Sequence, residues 1–193
     1  MRSFLLATSI PLVATIALGQ PIWKPDKAHS SVKFTVSHMV ISEVEGRFTD
    51  FDATVTAAKD DWSDMQIDAV VKTASLNTDN EFRDKHLRSD DFFNTEKFPE
   101  AKFHSTGVEV TGKDTYRITG DLTIRDVTRE VVLDTRFKGT AKDPRGTTKA
   151  AFRATTTIDR FDWGMKWNKA IETGGLVAGN EVTLTLIFEL AKQ

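Results

Sequence analysis

The chain contains no cysteine. That absence excludes disulfides, thiol catalysis, thiolate metal sites and a lipid-modified cysteine anchor. No basic run stands out and the formal charge is −2, so nucleic acid is not an expected partner. None of the four histidines, His29, His38, His86 and His104, shows ligand spacing such as His-x-His, His-x-x-x-His or His-Glu-x-x-His. No Gly-x-Ser-x-Gly elbow and no phosphate-cradling glycine loop occurs. No catalytic constellation emerges, and no cofactor is implied. Internal repeats and low-complexity tracts are absent, as is the βαβ rhythm of a parallel sheet.

The 193 residues suit one domain behind a leader. Residues 1–19 have the form of a signal peptide. Arg2 supplies a positive start, Phe4 to Leu18 an apolar run, and Ala17-Leu18-Gly19 a small-x-small cleavage site. Thr8, Ser9, Pro11 and Thr15 interrupt the run, which is too short for a membrane anchor. Residues 20–193 then form a single domain, expected to be periplasmic or secreted. A domain of that size buries roughly 70% of its unfolded surface and needs no covalent staples.

From Trp23 onward the pattern has a period of two. Val32, Phe34, Val36 and His38 share one strand face, and Lys33, Thr35 and Ser37 the other. Gly46 and Phe48 lead into Phe51, Ala53 and Val55 with a change of parity, which predicts a bulge near Asp50. Further strands run through Met65–Val71, Ala101–Val110, Tyr116–Ile124, Val131–Phe137, Phe152–Ile158 and Val182–Leu190. Turn signals separate them at Gly112-Lys113-Asp114, at 125–129 and at Asp143-Pro144-Arg145-Gly146. Eight antiparallel strands joined by short turns fit a barrel or a sandwich, and periodicity does not choose between them. Closure would remove exposed edges.

One stretch breaks the pattern. In 78–99, Thr78-Asp79-Asn80-Glu81 fits a capping box, and Glu81/Lys85 and Asp84/Arg88 fit i,i+4 pairs worth ~0.3–0.5 kcal/mol each. The spacing predicts a helix over 79–88, with a second short turn capped by Ser89 that carries the helical insert to about 95. Phe82 and His86 fall on one face, directed at the mouth of the β-structure. Arg83 has no partner one turn on. It would suit a phosphate or carboxylate head. A long connection, 161–180, holds Trp163, Met165, Trp167, Ile171 and Gly174-Gly175. Its aromatics either cap the mouth or fold outside the sheet.

Thirteen phenylalanines stand against a single tyrosine. Most fall at inward parity or in the insert. Phenylalanine has no polar handle, so the set builds either a solid core or a wall for a featureless hydrocarbon. His38 shares parity with Phe34 and Val36 and should point inward, either satisfied by a core hydroxyl or carbonyl or touching a ligand head group. His29 and His104 have outward parity or lie at strand ends.

The order of landmarks resembles the YceI-like family of exported polyisoprenoid-binding proteins. The landmarks are Trp23 with Asp26-Lys27-Ala28-His29-Ser30, Phe34 to Met39, Gly46-Arg47-Phe48, Arg83 to Phe93 with Phe98-Pro99, Gly120 to Ile124, Asp126-Val127-Thr128, Asp159 to Gly164, and Gly179 to Val182. They span nearly all of the chain after the leader. The resemblance implies an all-β, eight-stranded antiparallel, lipocalin-like barrel with a short helical insert at 79–95. It also implies a long isoprenoid or quinone-type lipid in the lumen and no enzymatic activity. The candidate lining is Phe34, Val36, His38, Phe48, Phe92, Phe93 and Phe103, with Arg83, His86 and Trp163 at the mouth. Trp163 departs from the simpler aromatic pattern common in the family before the glycine. Transient membrane contact and homodimerisation are compatible with this picture. The alternatives are a histidine-dependent enzyme or metal-binding protein acting on a lipid or quinone, and a solid-core module without a guest.

Overall fold

Alternation of apolar and polar side chains produces strands throughout the computed structural model, which describes residues 20–170 and 176–193. The expected leader, together with Ile171 and Gly174-Gly175, lies outside the described residues. The strands are β1 (Ile22–Pro25), β2 (Ser31–His38), β3 (Ser42–Phe48), β4 (Phe51–Thr56), β5 (Gln66–Lys72), β6 (Leu76–Asn77), β7 (Glu100–Gly112), β8 (Thr115–Ile124), β9 (Val127–Lys142), β10 (Thr148–Asp159) and β11 (Ala178–Lys192). Helix α1 (Glu81–Arg88) lies between β6 and β7.

Three pairs of these strands act as single staves. β1 and β2 both pair with β11, at Pro25↔Leu190 and Ser31↔Ile187. β3 and β4 pair with β2 and β1 respectively, and β5 and β6 pair with β4 and β3. Each of the remaining strands is a stave of its own. The result is a closed, eight-stave, antiparallel up-and-down barrel, with β11 returning to the first stave. Each stave thereby has a paired neighbour on both sides.

The breaks within staves have local causes. Between β3 and β4 the parity reverses, so that both Phe48 and Phe51 are buried. The freed backbone is caught from the neighbouring stave: Thr49 N–H donates to Ser75 O at 3.2 Å and Lys72 N–H to Asp50 O at 2.9 Å. This is the irregularity expected near Asp50. Between β1 and β2, Asp26 accepts from Lys149 Nζ at 2.6 Å and from Ala28 N–H at 3.0 Å, while His29 lies 3.2 Å from the same carboxylate. The 26–30 landmark thus pins a strand corner. Lys149, followed by His29, holds the Asp26 carboxyl at about 2, well below its ordinary 3.8.

The barrel has a floor and a mouth. At the floor, the β4–β5 loop tucks Trp62 inward, 5.0 Å from Trp23, 4.9 Å from Phe152 and 5.8 Å from Phe137 between ring centroids. Tyr116 closes the same loop by donating to Asp61 O at 2.8 Å. At the other end lie the β2–β3 hairpin tip, the 78–99 insert and the connection from β10 to β11.

Candidate functional site

The inward faces of the staves do not meet. They enclose a cavity of about 530 Å3, within the range of small-molecule sites. Its lower wall includes Val55, Met65, Phe152 and Leu190, and its upper wall Phe93, His86, Leu87 and Trp167. Trp23, Trp62 and Phe137 lie beneath it. The wall is predominantly apolar, and a few polar side chains, Ser37, Asp52, Lys102 and Thr135 among them, also border it.

Two glycines keep the wall thin. Gly46 pairs across the sheet with Phe34, and a Cβ at position 46 would stand 2.2 Å from Phe34 Cζ. A Cβ on Gly120 would meet Phe103 Cζ at 2.4 Å. Each ring therefore lies over a bare strand and does not project into the lumen.

The mouth is roofed by the insert, whose local chemistry differs from the expected form. Asn80, not Thr78, caps α1, its Oδ1 accepting from Arg83 N–H at 3.0 Å. Asp79 adopts a left-handed backbone, φ 59°, and its carboxylate accepts both guanidinium nitrogens of Arg47 at 2.8 and 2.9 Å. Asp84 is buried and does not pair with Arg88; its Oδ1 accepts from Thr78 N–H at 2.9 Å and from the Thr78 hydroxyl at 2.6 Å. Arg88 instead donates to the carbonyls of Ala74 and Leu76. Buried side-chain partners outcompete the surface pairs, which are worth tenths of a kcal/mol. Helix α1 ends at Arg88; Ser89 donates back to His86 O at 2.7 Å, and turns, not a second helical turn, carry the chain to 95.

Nine of the ten sequence candidates line the cavity: Phe34, Val36, His38, Phe48, Arg83, His86, Phe92, Phe93 and Phe103. His38 Nδ1 lies 2.9 Å from Val177 O, the carbonyl-satisfied arrangement. His86 Nε2 is 2.8 Å from Asp91, and its ring stands edge-on to Phe92 and Trp167 at 5.1 and 4.7 Å. Arg83 is not unpartnered: Nε and one terminal nitrogen donate to the hydroxyl and carbonyl of Thr78, each at 2.7 Å. Phe82 does not pack inward; it is 90% exposed at the rim of the opening.

Trp163 is displaced from the role expected of it. It is 2% exposed, donates to Leu122 O at 3.2 Å, and supports the wall from behind; Trp167 takes the place at the mouth. The segment Asp159–Gly164 explains this. Asp159 caps a short 3-10 turn, Arg160–Trp163, by accepting from Phe161 N–H, and its other oxygen accepts from Asn180. Gly164 ends the turn at φ 76°, a left-handed conformation that glycine adopts without steric cost.

Arg160 was not anticipated as a site residue. It is 4% exposed, lines the cavity, and donates to the carbonyls of Gly179 at 2.8 Å, Ala178 at 3.2 Å and Met165. Its guanidinium also stacks on Phe161 and Phe92 at 4.7 and 5.6 Å. Burial pushes it below its ordinary value, partly opposed by Asp159. Arg160 thus ties both ends of the β10–β11 connection together under the mouth.

The remaining histidines lie elsewhere. His104 pairs with Asp68 at 2.7 Å on the outer wall. Among the described residues, one group of potential metal ligands is gathered, Asp26, His29 and Glu189. The Lys149 ammonium already lies 2.6 Å from Asp26 and 3.5 Å from Glu189 there.

These features define a class: a closed eight-stranded antiparallel barrel with an apolar lumen, a plugged floor and a roofed mouth. The chain belongs to the family of the YceI-like domain, whose model matches residues 23–190. It is 38% identical over 158 residues to the UPF0312 protein SA2479 of Staphylococcus aureus strain N315, covering 81% of this chain and 90% of that one. A crystal structure of the Campylobacter jejuni YCEI protein superposes with a TM-score of 0.70 at 33% identity, over 87% of this chain and 96% of the other. A polyisoprenoid binding domain from Saccharophagus degradans, implicated in plant cell wall breakdown, shares the fold at a TM-score of 0.68 and 15% identity, over 91% of this chain and all of that one.

Proposed function

We propose that this protein binds a long-chain isoprenoid-type lipid, a polyprenyl or quinone chain, in its lumen and carries or sequesters it in the periplasm without transforming it. The observation that carries this is the 530 Å3 apolar cavity, which the protein's own side chains leave open. Burying hydrocarbon against such a wall is worth roughly 0.8 kcal/mol per methylene, enough for tight binding without a polar anchor. The polyisoprenoid-binding neighbour supports the same guest. The form of residues 1–19 supports export.

The test is organic extraction of protein purified from its native host, followed by mass spectrometry, with uptake of geranylgeraniol by the emptied protein in parallel. The expected result is a stoichiometric prenyl lipid and saturable uptake. Protein that carries no lipid and takes up no prenol would refute the proposal.

A further inference from the structure

Five of the eight large apolar side chains exposed among the described residues surround the mouth: Met39, Val40, Ile41, Phe82 and Leu176. Val40 and Ile41 form the apex of the β2–β3 hairpin, 69% and 85% exposed. From Met39 to Ser42 the apex carries no charge. Its backbone is strained: Met39 and Val40 hold φ of 53° and 67°, a region that a β-branched residue rarely enters. Strain of this kind is retained where it serves a function. Here it projects two apolar side chains that bury nothing in the barrel. The tip is joined to the mouth, since Met39 N–H donates to Val177 O at 3.0 Å and Val177 and His38 both line the cavity. Phe82 is both exposed and part of the opening.

We propose that this apolar rim docks on a lipid bilayer, with Val40 and Ile41 entering the interface beside the mouth. The inference rests on the lipid-guest reading: a long prenyl chain barely dissolves in water, so it must pass between membrane and lumen with little exposure. A wedge of uncharged apolar residues continuous with the opening provides that route. Because apolar burial drives the contact, it is insensitive to salt, unlike attachment through a basic patch.

The experiment uses the mature chain and vesicles of phosphatidylethanolamine and phosphatidylglycerol, comparing wild type with Val40→Asp/Ile41→Asp. Aspartate tolerates a left-handed backbone better than valine does, so the variant should fold and keep the wild-type melting temperature. Wild-type protein is expected to float with the vesicles at low and high salt. The variant should partition at least tenfold more weakly and extract vesicle-borne geranylgeraniol correspondingly more slowly. Uptake of the same prenol from detergent micelles should be equal in both. Equal flotation of the two proteins, or flotation of neither, overturns the docking proposal. So does sedimentation showing a dimer that the variant loses, which would make a second copy the occupant of the rim. Loss of micellar uptake in both proteins would instead refute the lipid guest, and docking with it.

Discussion

One added methyl group, Gly46→Ala, tests whether the lumen depends on a bare strand. The new Cβ would lie 2.2, 2.6 and 2.8 Å from three atoms of the Phe34 ring. Ordinary carbon contacts need ~3.5 Å, so the ring must retreat by roughly 1 Å or swing. Phe48 flanks it at 5.7 Å between centroids, and the open direction is the cavity. Two effects oppose each other. Replacing glycine restricts the unfolded chain and favours folding by ~0.4–1 kcal/mol. Overpacking costs ~1–3 kcal/mol. The cost wins, giving a net loss of about 1 kcal/mol and a melting temperature lower by ~2–4 °C. The effect on the guest should be larger. A ring pushed about 1 Å into the lumen takes the room of roughly two methylenes, worth ~1.6 kcal/mol at ~0.8 each, or roughly fifteenfold in Kd. Thermal unfolding and geranylgeraniol titration measure the two effects separately. Adding Phe34→Leu to the variant should restore much of the affinity. Wild-type prenol affinity in Gly46→Ala would show that the ring has another place to go and refute the reasoning.

Arg160→Met removes the partner of three backbone carbonyls and should cost roughly 3–4 kcal/mol at about 1 kcal/mol or more per bond, read by urea unfolding, with hydrogen exchange rising first in 176–181. Gly164→Ala must hold φ 76° and should lose ~1–2 kcal/mol in the same assay. Stability should fall in acid as Asp26 protonates. Its carboxyl is held at about 2, against 3.8 ordinarily, so its contribution is complete above 3.8 and disappears as the pH drops through about 2. Asp26→Asn should flatten that part of the stability curve, and an unchanged acid limb would count against the Lys149 contact. Trp167→Phe should diminish the emission change that accompanies guest binding, because Trp167 lines the mouth, and leave only the share from the floor tryptophans; an undiminished signal would place the guest elsewhere.

The strands were legible because half-buried strands write their inward face with a period of two, and even the stave break at 49–50 shows as a slip of parity; closure into a barrel rested on the family resemblance. Periodicity also placed Phe34, Val36, His38, Phe48 and Phe103 on the inward face, and the resemblance made that face a lumen. The insert was harder to read. Helical spacing tells which residues share a face, not how deeply each is buried, so Phe82 reaches the mouth as expected but stands exposed at its rim. Thr78 and Asn80 are both competent caps, and the choice falls to a buried carboxylate, Asp84, that draws Thr78 away. Arg160 left no signal because its partners are backbone carbonyls of irregular chain, which have no sequence signature. Trp62 lies in a loop without alternation, so nothing marked it as the floor.

The packed tryptophans beneath the cavity have one further consequence. A vessel sealed at one end admits its cargo from a single direction, tail first, and stops it at a set depth. Such a cul-de-sac acts as a ruler: it discriminates by the length and branching of the hydrocarbon, and leaves whatever the chain is attached to standing outside the door. Shaving the stop, for instance by Trp62→Ala, would lengthen the gauge and shift preference toward longer chains.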